Sequence, residues 1–150
     1  MKLIKRSAMV FALCASSVVM ATGAVADEWP LVQGNYWDVS GIEIKDGGGL
    51  KYATFLANEW RENQEFAKSK GWIKSYMVLA NAYPRKGEPD LYLITVTDSV
   101  VSGAESEKRQ AEYMEWRKKT IVQMQSESGN RAEFREVTSN SLLQELTFRK

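Results

Sequence analysis

The chain has 150 residues, with 20 basic and 19 acidic side chains, no histidine and a single cysteine, Cys14. Without histidine, it cannot build a Ser-His-Asp triad, a Cys/His zinc site or a histidine-ligated haem site. The nearly balanced charge gives no electrostatic reason to expect nucleic acid or an anionic membrane surface as a partner.

The N-terminus has the pattern of an export signal. Three basic residues, Lys2, Lys5 and Arg6, precede an apolar run over residues 8–20, and Ala24-Val25-Ala26 fits the small-x-small cleavage pattern. The apolar run is shorter than the roughly 20 residues of a bilayer-spanning helix, which favours cleavage over a retained membrane anchor. We therefore predict a cleaved signal peptide over residues 1–26 and a periplasmic or secreted protein that is not inserted in the membrane.

Cleavage would leave 124 residues, enough for one domain with its own core. The signal carries three basic and no acidic residues, so the remaining chain has 17 basic and 19 acidic side chains and a net charge near −2. Cleavage also removes the only cysteine. A thiol nucleophile is then excluded, and packing alone must hold the exported domain together.

Residues 27–35 are predicted to form a flexible leader, and residues 36–150 a single domain. Apolar and polar side chains alternate over residues 36–45, which predicts the first strand. Over residues 50–70 the apolar side chains recur at helical spacing on one arc. Gly71 stands where the left-handed C-terminal cap of this helix belongs.

A β-hairpin is predicted next, because residues 72–83 and 91–97 are rich in aromatic and β-branched side chains. Between them lies a polar run from Pro84 to Pro89, and proline cannot donate to a strand ladder. Apolar side chains occupy both parities of residues 72–83, so both faces of the sheet should be covered.

A second helix is predicted over residues 104–126, followed by an interruption at Ser128-Gly129-Asn130, a short helical segment within residues 131–137 and a last strand over residues 142–149. The resulting order, β-α-β-β-α-β, predicts a ferredoxin-like α+β fold with one four-stranded antiparallel sheet and two helices on one face. A second copy of the chain would cover the opposite, apolar face most simply, which predicts a homodimer.

The element order and the stretch GEPDLYLITVTD, residues 87–98, leading into a charged helix, resemble the dimeric α+β barrel superfamily. Its members include antibiotic-biosynthesis-type monooxygenases and EthD-like, NIPSNAP-like and stress-responsive barrel proteins, and the chain is similar to small exported bacterial proteins of that group. The resemblance covers roughly residues 36–149 and rests on the order of the elements and the general pattern of residue types, without a catalytic signature. It implies a ligand or active site between helices and sheet in each subunit, but it carries over no catalytic positions.

Two polar residues, Glu59 and Asn63, fall inside the apolar arc of the first helix. A carboxylate in such a place is costly unless it is paired or hydrogen-bonded. One interpretation is a polar patch lining a pocket, with Glu59 as a candidate for a general base. The other is a structural ion pair between Glu59 and Arg109 or Arg117 of the second helix.

We expect a ligand pocket lined by Glu59, Asn63, Trp60, Tyr113 and Arg117. Six aromatic residues fit either a cage for a flat ligand or ordinary core filling, and core filling is the commoner role of aromatic side chains. These six are Tyr52, Trp60, Tyr76, Tyr92, Tyr113 and Trp116.

Three functions are compatible with this pattern. The first is an exported homodimer that binds a small apolar or aromatic molecule, the second a cofactor-independent monooxygenase-like enzyme, and the third a structural or interaction protein with a filled barrel. No cofactor or metal is expected. The Asp46 region lacks the calcium-loop pattern, and Gly47-Gly48-Gly49 lacks the spacing of phosphate- or dinucleotide-binding loops.

Overall fold

The computed structural model describes residues 28–150, so the predicted signal peptide, residues 1–26, lies outside the described residues. Four strands form one sheet: β1 (Leu31–Ile44), β2 (Ser75–Ala80), β3 (Leu91–Thr97) and β4 (Arg135–Phe148). Their order across the sheet is β2-β3-β1-β4, and every neighbouring pair is antiparallel. The predicted α+β class and the four-stranded antiparallel sheet are confirmed. The arrangement is compatible with a ferredoxin-like fold.

The helices lie in two regions of the chain. In the first, a π-helical turn over Leu56–Trp60 joins α1 (Gly49–Phe55) to α2 (Arg61–Ser69). In the second, α3 (Gly103–Arg117) and α4 (Ile121–Asn130) are followed by a 3₁₀ turn, Arg131–Glu133. Within residues 28–150, no helix is both long enough and apolar enough to cross a membrane.

The first helical region ends as its sequence predicts. Gly71 has a φ of 70°, in the left-handed region. Its N–H donates to the Lys68 carbonyl at 3.0 Å, and the N–H of Trp72 donates to the Ala67 carbonyl at 2.9 Å. These two bonds form a Schellman motif, which satisfies carbonyls that the end of a helix would otherwise leave unpaired.

The prediction of a flexible leader over residues 27–35 is wrong for residues 31–35, because β1 already begins at Leu31. Leu31 is opposite Phe148 in β4, and the N–H of Arg149 donates to the Pro30 carbonyl at 2.8 Å. The register between β1 and β4 shifts between Gln33 and Tyr36. Such a bulge interrupts the two-residue alternation of side chains, which is why the sequence pattern indicated a strand only from Tyr36 onward.

The second helical region is two helices rather than the single helix predicted over residues 104–126. Lys118, directly after α3, has a φ of 52°, which is left-handed backbone. Thr120 then begins α4 with a capping box: its hydroxyl accepts from the Gln123 N–H, and the Gln123 side chain accepts from the Thr120 N–H. The predicted interruption at Ser128-Gly129-Asn130 is wrong, since these residues complete α4.

The C-terminal strand is also longer than predicted. The expected helical segment within residues 131–137 is limited to the 3₁₀ turn Arg131–Glu133, and β4 begins at Arg135 instead of Leu142. A second register shift, between Gly41 and Ile42 of β1, accompanies the early part of β4. Arg135 and Val137, which the sequence pattern had assigned to a helical segment, therefore belong to β4 and lie close to Tyr52 of α1.

The sheet has one face toward the first helical region and one face away from it. The Thr95 hydroxyl of β3 donates to the side chain of Gln64 in α2 at 3.3 Å, so Thr95 lies on the helix-facing side. Because side chains alternate along a strand, Ile94 and Val96 point to the other face. Both are only 5% exposed. The buried residues of the domain therefore come from both faces of the sheet.

The break at Lys118 predicts that Lys118→Gly stabilises the protein. Glycine adopts left-handed backbone without the penalty of roughly 1 kcal/mol that a Cβ carries there. We expect the free energy of unfolding in urea to rise by up to about 1 kcal/mol, because the more flexible unfolded chain offsets part of the gain.

Lys108→Gly, in the exposed middle of α3, is the matched control and should lower the free energy of unfolding by about 1 kcal/mol. A continuous helix through residue 118 would make both substitutions destabilising by similar amounts. That result would contradict the break.

Candidate functional site

A cavity of about 300 Å³ lies between the first helical region and the sheet. We call it the helix–sheet cleft. Its aromatic wall comes from the helix, its floor from β1, β3 and β4, and two arginines stand at one side. The lining residues are Ser40, Ile42, Tyr52, Phe55, Trp60, Leu93, Arg131, Arg135, Val137 and Asn140.

The aromatic wall is held rigidly by packing. Tyr52 is 1% exposed and stacks on Phe55 with ring centroids 5.7 Å apart and planes at 22°. Trp60 packs edge-on against Tyr76 of β2, with centroids 5.4 Å apart. Offset-stacked and edge-to-face pairs such as these are the favoured aromatic geometries. The wall is therefore preformed.

Arg131 reaches the cleft from the 3₁₀ turn. Its guanidinium carbon lies 4.4 Å from the ring centroid of Phe55, a cation–π contact that fixes the guanidinium plane. Its Nη1 donates to Glu59 Oε1 across a long 3.4 Å. Its Nε is buried and has no hydrogen-bond partner within the described part of the chain. One strong donor beside the cleft is thus left unsatisfied.

Arg135 is the first residue of β4 and lines the cleft. Among residues 28–150, no carboxylate oxygen lies within 4.0 Å of its guanidinium. Arg135 and Arg131 both act on Tyr52: burial raises the pKa of the Tyr52 hydroxyl, and the two positive charges partly oppose that rise. Both guanidinium groups therefore belong to the electrostatic surroundings of the Tyr52 phenol, which stays a neutral hydrogen-bond donor at pH 7.

Glu59 lies at the centre of an ion-pair cluster beside the cleft. Its carboxylate is 3.5 Å from Arg117 and 3.4 Å from Arg131, and Arg117 also contacts Glu62 at 3.0 Å. The interhelical pair with Arg117 therefore forms. Arg109 instead bonds to Glu105 of its own helix at 2.8 Å. A role of Glu59 as a general base stays a prediction.

The other expected site residues divide between two places. Trp60 lines the cleft, whereas Tyr113 and Arg117 lie on α3, where it packs against α2. Burial raises the pKa of the Tyr113 hydroxyl, and the charges of Arg117 and Glu59 also act on it, so these three side chains do belong to one cluster. Asn63 in α2 has a buried Oδ1 without a hydrogen-bond partner among the described residues.

The six aromatic residues considered as a cage do not surround one space. Tyr52 and Trp60 line the cleft, and Tyr76 packs behind Trp60. Tyr113 and Trp116 pack around Phe66, where Trp116 stacks with centroids 4.1 Å apart. Tyr92 alternates with the cleft residue Leu93, so it points to the opposite face of the sheet.

The two cleft arginines were missed by sequence reasoning. Arg131 and Arg135 follow a Ser-Gly-Asn stretch that indicated a loop, and nothing local places them against a helix some 75 residues earlier. The available signal was the position of the two arginines after α4. They stand four residues apart, with Phe134 between them, at the start of a strand. Only the pairing of β4 with β1 brings them to Tyr52.

Neither a protein-family model nor a curated protein nor a solved structure matches the chain. The chemistry of the cleft therefore has to come from its own side chains. Within residues 28–150, no three acidic side chains lie close enough together to hold a metal ion. The polar groups lining the cleft are guanidinium, hydroxyl and amide groups, which suit an organic molecule with oxygen acceptors.

A double-mutant cycle would test the ion-pair cluster. Glu59→Gln combined with Arg117→Met should give a coupling energy of about 0.5–1 kcal/mol, because the pair is long and Glu59 is partly open to solvent. The measurement is the free energy of unfolding of the wild type, both single variants and the double variant.

Arg109→Met combined with the same Glu59→Gln is the control cycle, and its coupling should be indistinguishable from zero. A larger coupling to Arg109 than to Arg117 would mean that Glu59 has a different partner in solution.

Proposed function

We propose that this protein is an exported homodimer that binds a small apolar or aromatic molecule in the helix–sheet cleft. The observation that carries the proposal is the preformed aromatic wall of Tyr52, Phe55 and Trp60 facing an empty space of about 300 Å³. Small-molecule pockets have volumes of roughly 300–1,000 Å³. The cleft is at the small end of that range, which favours a molecule of one or two rings.

The other two candidate functions have less support. A monooxygenase-like reaction needs a base within reach of the substrate. The residues that line the cleft include no carboxylate, and Glu59 is engaged by Arg117 and Arg131. A filled barrel with a purely structural role would leave no room for a ring, in contrast to a cleft of this volume.

A ferredoxin-like fold and a dimeric barrel form the second part of the proposal. The order β2-β3-β1-β4 with antiparallel neighbours supports the first. On the face away from α1 and α2, Leu79 of β2 and Leu143 of β4 are 47% and 54% exposed. Leu143 lies opposite the half-buried Trp37, whose indole N–H has no partner among the described residues. An apolar sheet face of this kind supports a second copy of the chain as its cover. The N-terminal pattern of residues 1–26 supports export.

Ligand binding is tested by titrating the processed protein with neutral 2-naphthol at pH 7 in a calorimeter. We expect saturable binding of one molecule per chain. Leu93→Phe should abolish it, because the larger ring fills the cleft from β3.

Leu79→Phe is the matched control, since Leu79 lies on the other face of the sheet, and it should bind like the wild type. If neither 2-naphthol nor its carboxylate analogue 2-naphthoate binds saturably, the cleft is not a ligand site.

The dimer is tested by sedimentation equilibrium of the processed chain at micromolar concentrations. We expect twice the chain mass for the wild type and a shift toward the single-chain mass for Leu143→Lys, which places a charge in the proposed apolar interface. Val122→Lys, at an exposed position of α4, should leave the mass unchanged. A wild-type protein that is a monomer at these concentrations would refute the dimer.

A further inference from the structure

The charges beside the helix–sheet cleft do not balance. Arg117 contacts the carboxylates of Glu59 and Glu62, and Arg131 contacts that of Glu59. Arg135, which also lines the cleft, contacts neither carboxylate. The positive charge of Arg135 therefore has no carboxylate partner among the described residues, although it borders a largely apolar space.

A guanidinium without a carboxylate partner, at the edge of a cleft with an aromatic wall, is available to bind an anionic group. We infer that the molecule bound in the helix–sheet cleft is an aromatic carboxylic acid, whose ring lies against Tyr52, Phe55 and Trp60 and whose carboxylate lies between Arg131 and Arg135. This inference rests on the proposed binding function and names the chemical class of its ligand.

The geometry of Arg131 supports a carboxylate in particular. Its guanidinium is held over the Phe55 ring, so it presents its donors in a fixed plane. The bond to Glu59 uses Nη1 at 3.4 Å, and the buried Nε still lacks an acceptor. A guanidinium presents planar N–H donors that match the two oxygens of a carboxylate. A ligand carboxylate in the cleft would offer this guanidinium an acceptor in addition to the Glu59 oxygen at 3.4 Å.

Tyr52 adds a neutral donor at the same place. Its hydroxyl is close enough to both arginines for their charges to act on its ionisation. As a buried phenol it remains protonated and neutral at pH 7. It can therefore donate a hydrogen bond to an anionic oxygen of the ligand, and it carries no negative charge that would itself pair with the arginines. The aromatic wall would thus contact the ring of the ligand, and Arg131, Arg135 and the Tyr52 hydroxyl would bind its carboxylate in the same cleft.

Size distinguishes this ligand from larger anions. A cleft of about 300 Å³ with an aromatic wall matches the size of a one- or two-ring molecule better than that of a nucleotide or a lipid chain. A free inorganic anion would satisfy the arginines but would leave the aromatic wall without contact. A flat acid of one or two rings uses both features.

The test compares 2-naphthoate with 2-naphthol, which have the same ring system and differ in charge at pH 7. Calorimetric titration of the processed wild-type protein should give at least tenfold tighter binding for 2-naphthoate. The advantage should shrink as the salt concentration rises, because it is electrostatic.

Arg135→Gln should remove the preference for 2-naphthoate, so that the affinities of this variant for the two compounds agree within about twofold. Arg135→Lys keeps the charge and should retain part of the preference. Lys51→Gln removes one exposed charge from the same helical region outside the cleft and is the control for overall charge, with the preference unchanged.

Equal affinity of the wild type for the two compounds would overturn the inference while leaving the binding function intact. Loss of the preference in Lys51→Gln as well would also overturn it, since net charge rather than Arg135 would then be responsible. The wild-type comparison decides the question even if Arg135→Gln does not fold.

Discussion

A single π-helical turn, Leu56–Trp60, determines where the side chains of the first helical region point. Its one inserted residue changes the direction, around the helix axis, of the side chains that follow it relative to those that precede it. Tyr52 and Phe55, before the turn, face the cleft together with Trp60 at its end. Phe66, after it, stacks on Trp116 of α3. A regular helix would bring all four aromatic residues to one arc, and the helix could not contact sheet and α3 as it does.

The same turn explains why Glu59 is tolerated. It belongs to the distorted segment and lies between Arg117 of α3 and Arg131 of the 3₁₀ turn, while its neighbour Trp60 lines the cleft. The helix thus separates a charged cluster on one side from an aromatic wall on the other. Arg131 links the two, since it contacts both Glu59 and the Phe55 ring. Arg117 has a second carboxylate partner, Glu62 at 3.0 Å, whereas Arg131 has only the shared Glu59 at 3.4 Å among the described residues and is less fully neutralised.

Much of the fold is local enough to be predicted from the sequence. The residue pairs Pro89-Asp90 and Asp98-Ser99 mark the two ends of β3. Gly71, with its left-handed backbone, marks the end of α2. The break between α3 and α4 was also detectable, because Thr120 and Gln123 have the spacing of a capping box. It was missed because the apolar helical pattern continues across Lys118.

The candidate site was harder to predict, for two physical reasons. An inserted residue in a helix or a strand shifts the phase of its side chains, so a pattern at constant period assigns the residues beyond it to the wrong direction. The bulge between Gln33 and Tyr36 hid residues 31–35 of β1 in this way, and the π-helical turn interrupts the single helix predicted over residues 50–70. In addition, Arg131 and Arg135 reach Tyr52 only through the pairing of the first and last strands. Propensity and periodicity contain no information on contacts so distant along the chain.

That pairing joins the two ends of the domain. β1 lies inside the sheet, and one of its two neighbours is β4, the strand furthest from it in sequence. Contacts this far apart in sequence form slowly, so the pairing of β1 with β4 is a late event in folding. The cleft takes Arg131 from the turn before β4 and Arg135 from the first position of that strand, so its charged side is complete only after this pairing has formed.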